Sequence, residues 1–286
     1  MKVPQIKLNN GILMPQEGFG VYQIKDPAQC EQAVKAALSA GYRSIDTAQA
    51  YGNESAVGAA IANSEIPRQQ LFITTKVWIT DYGDGVTYQS VLNSLRRLRT
   101  NYLDLVLLHE PWNDFYGAWR DLIKLQQEGK VRAIGLSNFN QAQIVDLAHN
   151  TGVKPAVLQV EANLYNQQQS LRQLAQKMGF AVEAWAPLGE GKFNMLKDPV
   201  ASRIAAAHQL TVAQTILRFL TQLGVIVIPK SVHRSRIAEN LNIWQTKLTD
   251  SEMAALIACN RGSGISWDRT KADVAEHYMK LIDQGR

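Results

Sequence analysis

The feature that most constrains the fold is a regular alternation of short buried runs with amphipathic stretches along the 286-residue chain. The runs are apolar, often β-branched and of strand length, and the stretches between them have helical spacing. The runs occupy about residues 17–21, 43–46, 71–77, 103–108, 131–136, 156–160, 180–185 and 225–228. Eight strands that alternate with helices in about 250 residues favour a (β/α)8 TIM barrel over a doubly wound sheet.

Two further patterns support the barrel. No Gly-x-Gly-x-x-Gly follows the first run, which counts against a Rossmann domain. Near the N-terminus, Gln5–Leu8, Asn9–Gly11 and Ile12–Met14 indicate a strand, a turn and a strand, and we expect this hairpin to close the bottom of the barrel. The chain has no linker or low-complexity segment, so we expect one domain over residues 1–286, with additional helices after the eighth strand at about 236–241, 250–258 and 271–282.

Composition excludes several classes of function. The net charge of +5 mildly favours anionic partners, but the basic clusters Arg96–Arg99 and His233–Arg236 are not interleaved with aromatic residues. We therefore expect no nucleic-acid binding and interpret the first cluster as a solvated helix face. The second cluster could meet a phosphorylated small molecule.

The sequence shows no pattern typical of targeting, membrane-spanning or metal-binding segments. The N-terminus does not have the pattern of a signal peptide, and no apolar run is long enough to span a bilayer. Cys30 and Cys259 have no metal-like spacing. We expect a cytoplasmic monomer with no metal site and no membrane contact.

Reactive side chains gather where the predicted strands end. In a (β/α)8 barrel, the active site lies at the carboxyl ends of the strands. Asp46, Lys76 and His109 end the second, third and fourth strands, and Tyr51 lies in the loop after Asp46. Singly, each has a structural explanation: a helix cap, an exposed strand-end charge, or a satisfied core histidine. Together they predict a catalytic cluster.

The chemistry of such a cluster is that of a general acid. A buried lysine beside a phenol favours the phenolate, which we expect to lower the pKa of Tyr51 from about 10 toward neutrality. Asp46 would keep Lys76 charged despite its burial. Tyr51 could then donate a proton to a carbonyl oxygen, and His109 could orient that oxygen with a hydrogen bond.

At this point the chain resembles the aldo-keto reductases, in particular a bacterial branch that includes 2,5-diketo-gluconate and aldehyde reductases. The shared motifs occur in the family's order over about residues 4 to 245. They are Ile45–Glu54, Thr75–Trp78, Leu105–His109, Ile134–Phe139, Gln159–Glu161, Ala186–Gly189, Ile228–Val232 and Arg236–Asn240.

The resemblance implies a reductase that binds NADPH across the barrel mouth, with Asp46, Tyr51, Lys76 and His109 as catalytic tetrad. It implies that Ser137, Asn138 and Gln159 hydrogen-bond the nicotinamide carboxamide and that Trp185 stacks on the ring. Leu188, Gly189 and the loop 190–192 would follow the pyrophosphate. The adenosine end would meet Lys230, Ser231, Arg236, Glu239 and Asn240.

Some of these matches have independent chemistry, and others have plain alternatives. Lys230, Ser231 and Arg236 form a compact anion site just before a helix, which favours the 2′-phosphate of NADPH over the hydroxyl of NADH. Ser137 and Asn138 could equally be an ordinary strand-to-helix turn with a capping asparagine, and Trp185 could be core packing.

The substrate pocket is less constrained. By position, Tyr22, Trp78, Trp112 and Trp267 could line it with aromatic surface. Glu110 follows His109 where several family members carry tryptophan. The C-terminal loop is short, which suggests an open pocket. We expect a small aldehyde, dicarbonyl or keto-sugar as substrate.

Two other functions remain open at this stage. One is a nicotinamide-binding regulatory subunit with little turnover, which the intact tetrad disfavours. The other is an isomerase or aldolase that uses Lys76 as a Schiff base, which a charged partner such as Asp46 disfavours.

Overall fold

The computed structural model describes residues 3–285. The chain opens with the predicted hairpin, in which β1 (Gln5–Lys7) pairs antiparallel with β2 (Leu13–Pro15). Leu8 and Met14 are buried and pack against apolar residues of the barrel strands. The hairpin therefore plugs the end of the barrel that is opposite the predicted site.

Eight parallel strands follow and form one sheet in chain order, β3 to β10. Their bounds are Phe19–Gly20, Ser44–Asp46, Phe72–Val77, Leu103–Leu108, Val131–Ser137, Val157–Glu161, Ala181–Trp185 and Ile226–Val227. A parallel bridge joins Glu17 to Val227, and the Gly18 N–H donates to Val227 O at 2.9 Å, which closes the ring. The predicted (β/α)8 barrel with its N-terminal hairpin is confirmed.

The helices occupy the predicted stretches with shifts of a few residues at their ends. Helices α1 to α11 span Pro27–Ala40, Glu54–Ala62, Val86–Arg97, Phe115–Gln127, Gln141–Thr151, Gln169–Met178, Pro199–Ala207, Val212–Gln222, Arg234–Leu241, Asp250–Ile257 and Ala272–Asp283. Helix α1 shows why the sequence predicts where a helix begins and ends. Asp26 accepts a hydrogen bond from the Gln29 N–H at its start, and Gly41 adopts a φ of +116° at its end. Within residues 3–285, no helix combines the length and apolarity needed to cross a membrane.

The alternation of side chains along each strand positions the site. One cluster of buried apolar residues, which includes Leu105 and Leu107, fills the barrel beside the hairpin. A larger cluster, which includes Val106 and Leu108, lies between strands and helices. Successive residues of a strand point to opposite faces of the sheet. Every second residue therefore points into the barrel, and the inward-pointing residues at the carboxyl ends of the strands meet at its mouth.

Candidate active site

Lys76 is the centre of a buried polar cluster at the mouth of the barrel. Its ammonium nitrogen lies 2.5 Å from Asp46 Oδ1, 3.1 Å from the Thr47 carbonyl oxygen and 3.2 Å from the Tyr51 hydroxyl. Lys76 is fully buried and Asp46 nearly so. An ammonium group carries three hydrogens and accepts none, so these three contacts use all of its donors.

Tyr51 is held in place by the loop between β4 and α2. It ends a short 3-10 turn, Gln49–Tyr51, and Gly52 follows with a φ of +68°. The buried Asn53 side chain accepts from Thr47 Oγ1 at 2.8 Å and donates to the Val21 carbonyl oxygen at 3.0 Å. These bonds fix the loop, and with it the phenol above Lys76.

His109 follows β6 directly, and its N–H donates to Val77 O at 3.1 Å. Its ring meets the Tyr51 ring edge-on at a centroid distance of 5.7 Å and the Trp78 ring at 5.1 Å. The four predicted tetrad residues are thus brought together in one cluster.

The predicted nicotinamide side is formed by the next three strands. Ser137 ends β7, and its buried hydroxyl has no hydrogen-bond partner among residues 3–285. Asn138 adopts a φ of +66°, and its Oδ1 accepts from Trp185 Nε1 at 2.9 Å. Gln159 donates from Nε2 to Asp46 Oδ2 at 2.9 Å and to Glu183 Oε2 at 2.8 Å. Gln159 thus contacts Asp46 directly, and Asn138 Nδ2 donates to the His109 carbonyl oxygen at 3.2 Å.

The remaining predicted cofactor residues lie in the loops after β9 and β10. Leu188 is half-buried, and Gly189 is buried with a φ of +67°. Lys230 and Arg236 are exposed and have no ion-pair partner among the described residues. Ser231 accepts a hydrogen bond from the His233 N–H at 3.1 Å.

Two further residues predicted at the adenosine end, Glu239 and Asn240, belong to α9. Asn240 is buried, whereas Glu239 accepts a hydrogen bond from Thr211 Oγ1 at 2.8 Å, at the start of α8. The structure therefore places the Glu239 side chain in a helix-to-helix contact.

The predicted substrate residues form two aromatic groups. Tyr22 packs on Tyr51 at a centroid distance of 4.9 Å. The three tryptophans surround Tyr278 of α11, which lies 6.3 Å from Trp78, 5.7 Å from Trp112 and 6.1 Å from Trp267. Because Trp78 also touches His109, this aromatic wall is continuous with the buried polar cluster around Lys76.

Comparison with known proteins identifies the family. The model of the "Aldo/keto reductase family" matches residues 18–261, most of the chain. The chain belongs to the aldo/keto reductase family. It is accordingly an oxidoreductase, and the family resemblance expected from its motifs is confirmed.

Several aldo/keto reductases are similar over almost the whole chain. Glyoxal reductase of Bacillus subtilis is 43% identical over 257 residues, which is 90% of this chain and 92% of that protein. The crystal structure of an aldo/keto reductase from Brucella melitensis has a TM-score of 0.87 and 43% identity, and covers 90% of this chain and 100% of its own. The Bombyx mori aldo-keto reductase in complex with NADP has a TM-score of 0.88 and 33% identity, with 94% and 97% coverage.

The electrostatics of the site correct one expectation. Burial raises the pKa of Tyr51 to about 12, and the Lys76 charge only partly offsets it. The predicted shift of the Tyr51 pKa toward neutrality is therefore wrong. Loss of hydration destabilises the phenolate more than the nearby ammonium stabilises it. The other expectation holds: burial lowers the pKa of Lys76, but Asp46 and Tyr51 outweigh that effect and hold it above its ordinary value.

The surroundings of His109 favour its neutral form. Burial, followed by the charges of Lys76 and Arg269, lowers its pKa well below the ordinary range. A neutral imidazole can donate a hydrogen bond to a carbonyl oxygen without adding a second cation beside Lys76.

Sequence reasoning missed four residues of the site. Glu183 is buried beside Gln159, and Tyr278 joins the tryptophans. Glu110, noted only as a departure from the family, forms a buried ion pair with Arg269 of the C-terminal segment. Glu183 points to the same inner face of β9 as Trp185, so the alternation of side chains along the strand could have predicted it. The others depend on contacts with residues far away in the chain.

Proposed function

We propose that this chain reduces the carbonyl group of a small aldehyde, dicarbonyl or keto-sugar to an alcohol, with NADPH as cofactor and Tyr51 as proton donor. The contact between Lys76 and Tyr51 carries the proposal. Because the ammonium can only donate, the phenolic oxygen accepts from it, and the phenolic hydrogen must point elsewhere. A carbonyl oxygen bound at the mouth of the barrel could accept that hydrogen.

The residues of the nicotinamide side fit the cofactor. The Ser137 hydroxyl is a buried group that lacks a partner within residues 3–285, as expected of a group that binds a ligand. Both Nε2 hydrogens of Gln159 are used by carboxyl groups, so its carbonyl oxygen remains available to accept from a carboxamide. The indole of Trp185, held by Asn138, would support the ring.

The charges at the adenosine end of the site favour NADPH over NADH. Lys230 and Arg236 are exposed cations without ion-pair partners among the described residues, at the start of α9. A 2′-phosphate would neutralise them and could also accept from the first N–H groups of the helix. The complex of the Bombyx mori relative with NADP supports the same cofactor here.

The chemistry divides between the cofactor and the protein. When bound, the dihydronicotinamide supplies a hydride to the carbonyl carbon. His109 would hold the carbonyl oxygen with a hydrogen bond, and Tyr51 would deliver its proton to that oxygen. Lys76 stabilises the phenolate that results, and Asp46 keeps the lysine charged.

The aldolase alternative loses support in this geometry. A Schiff base requires a neutral amine with a free lone pair. Lys76 donates to three acceptors, and its pKa is held above the ordinary value. It is a poor nucleophile and a suitable electrostatic partner for Tyr51.

The test is Tyr51→Phe with a panel of aldehydes, dicarbonyls and keto-acids. We expect the variant to bind NADPH as the wild type does but to lose at least about 100-fold in kcat, the usual contribution of a general acid. Single-turnover measurements by stopped flow also separate an enzyme from a regulatory subunit, which would transfer hydride very slowly in the wild type. Full turnover by Tyr51→Phe would refute the assignment.

A further inference from the structure

The C-terminal segment between α10 and α11 (residues 260–271) is fastened to the barrel mouth by two buried carboxylates. Glu161, at the end of β8, accepts from the Ile265 N–H and from the Ser266 N–H, each at 2.8 Å. Glu110, just after β6, binds the side chain of Arg269. Trp267, one of the predicted substrate residues, lies between these attachment points.

The Glu110–Arg269 contact is a bidentate ion pair with little access to water. Arg269 Nε lies 2.5 Å from Glu110 Oε2, and Nη2 lies 2.7 Å from Oε1. The two side chains are 16% and 6% exposed, respectively. Two parallel charge-assisted bonds fix direction as well as distance, so the pair holds Arg269 in one orientation at the barrel mouth.

Glu110 also holds the cofactor side of the site. Its Oε1, which binds Arg269, accepts from Asn138 Nδ2 at 2.8 Å. Asn138 then accepts from Trp185 Nε1 through its Oδ1. Asn138 Nδ2 also donates to the His109 carbonyl oxygen at 3.2 Å. With Nδ2 held by these two acceptors, Oδ1 must face the indole, so Glu110 supplies the charged one of the two contacts that orient the amide and position the ring.

From this chain of contacts we infer that Glu110 and Arg269 are positioning residues: their ion pair, and not the seating of the C-terminal segment as a whole, holds the Asn138–Trp185 side of the site. Arg269 would therefore affect cofactor binding without contacting the cofactor. Loss of Arg269 leaves Glu110 buried without its cation, and the carboxyl must rotate or take up a proton. Either change weakens its hold on Asn138. The inference rests on the proposed function, because it takes Asn138 and Trp185 as nicotinamide contacts.

The alternative is that the Glu110–Arg269 ion pair only stabilises the fold. In that case Arg269 and Asn138, which do not touch in this network, would act independently on NADPH binding. A double-mutant cycle separates the two cases, since residues that share a network give non-additive effects.

The experiment measures the NADPH dissociation constant by calorimetry for wild type, Arg269→Met, Asn138→Ala and the double variant. We expect Arg269→Met to weaken NADPH binding about 5- to 10-fold in the wild type but less than about 2-fold in the Asn138→Ala background. We expect Arg269→Lys, which keeps the charge and loses the bidentate geometry, to fall between Arg269→Met and wild type; this second variant serves if Arg269→Met folds poorly.

Two control variants test whether the effect of Arg269 on NADPH binding passes through Glu110 and Asn138. Arg120→Met removes a bidentate but exposed ion pair between α4 and Asp84, which touches neither Glu110 nor Asn138, and should leave NADPH binding unchanged. Glu161→Gln loosens the same C-terminal segment without touching Asn138. It should raise the KM for the carbonyl substrate and leave NADPH affinity within about 2-fold.

Three results would overturn the inference: additive effects of Arg269→Met and Asn138→Ala, no effect of Arg269→Met on NADPH, or an equal effect of Glu161→Gln. A failure of the proposed function is distinguishable, because in that case the wild type itself would not bind NADPH or Tyr51→Phe would keep its turnover.

Discussion

Lys76 Nζ lies 3.2 Å from the hydroxyl oxygen of Tyr51, and the only direction that this hydrogen bond can take is from the ammonium to the phenol. This contact both frees the phenolic hydrogen and places a positive charge where the phenolate would form. Burial nevertheless keeps the phenol protonated in the folded protein, since the pKa of Tyr51 is raised to about 12. Tyr51 is thus suited to give up its proton only to an acceptor whose basicity rises during the reaction.

Lys76→Met is predicted to abolish turnover and to destabilise the fold. Removing the cation leaves Asp46 buried and unpaired, which costs about 3–5 kcal/mol of the free energy of unfolding. It also removes the positive charge that lowers the pKa of Tyr51. We expect kcat to fall at least about 100-fold and the urea midpoint to fall, measured by steady-state kinetics and by circular dichroism.

The double variant Asp46→Asn/Lys76→Met separates these two effects. It removes both charges, so most of the lost stability should return while turnover does not. Recovery of activity together with stability would show that Lys76 acts only on the fold.

The pH dependence should reflect a phenol with a raised pKa. Reduction needs the protonated form of Tyr51, so kcat/KM for reduction should be level from about pH 6 to 9 and should fall only near pH 12. Oxidation of the alcohol needs the phenolate, so its kcat/KM should rise about tenfold per pH unit over the same range.

Glu183→Gln is the control for this profile, because burial and the charge of Asp46 raise the pKa of Glu183 to about 8. A break near pH 8 that disappears in this variant belongs to Glu183. A decline in reduction centred near pH 7 in both proteins would contradict the raised pKa of Tyr51.

Much of the site could be predicted from the strands because their side chains alternate. Once the strand ends were located, Asp46 and Lys76 had to share the mouth of the barrel, and the Lys76–Asp46 contact of 2.5 Å agrees. The net pKa of Tyr51 could not be predicted, because it depends on how completely the folded chain excludes water from the phenol. That quantity is a property of the whole barrel and has no local sequence pattern.

The C-terminal part of the site was hidden for a different reason. Glu110 and Arg269 are 159 positions apart, and neither lies in a repeating pattern that would point to the other. Tyr278 belongs to an amphipathic helix whose buried face was predictable, but which barrel loop it would cover was not. Long-range contacts of loops and terminal helices are set by tertiary packing.

Arg236→Ala is predicted to weaken NADPH binding about 10- to 100-fold and NADH binding by less than about 2-fold. The estimate is the usual value of a charge-assisted hydrogen bond to phosphate, and NADH has no phosphate at this position. Calorimetry with both cofactors at one ionic strength measures the ratio. Arg96→Ala, in the basic cluster of α3, is the matched control and should change neither constant; equal losses for both cofactors in Arg236→Ala would refute the 2′-phosphate assignment.

Glu17→Gln is predicted to stabilise the protein at alkaline pH. Glu17 is fully buried beside the barrel closure and accepts from Trp244 Nε1 at 2.9 Å and from the Tyr42 hydroxyl at 3.2 Å. Burial raises its pKa to about 8, against the opposing effect of those two hydrogen bonds. The folded state therefore binds a proton that the unfolded chain releases above about pH 4.5, so wild-type stability falls between about pH 4.5 and 8. Glutamine avoids that loss.

The measurement is urea unfolding of both proteins at pH 5 and pH 9. We expect the advantage of Glu17→Gln to grow by a few kcal/mol between the two pH values, since each pKa unit corresponds to about 1.4 kcal/mol. Glu128→Gln is the matched control, because Glu128 also accepts from a tyrosine hydroxyl, that of Tyr88, but at the exposed surface. An advantage that does not change with pH would mean that Glu17 remains ionised in the folded state, and that the Tyr42 and Trp244 hydrogen bonds outweigh its burial.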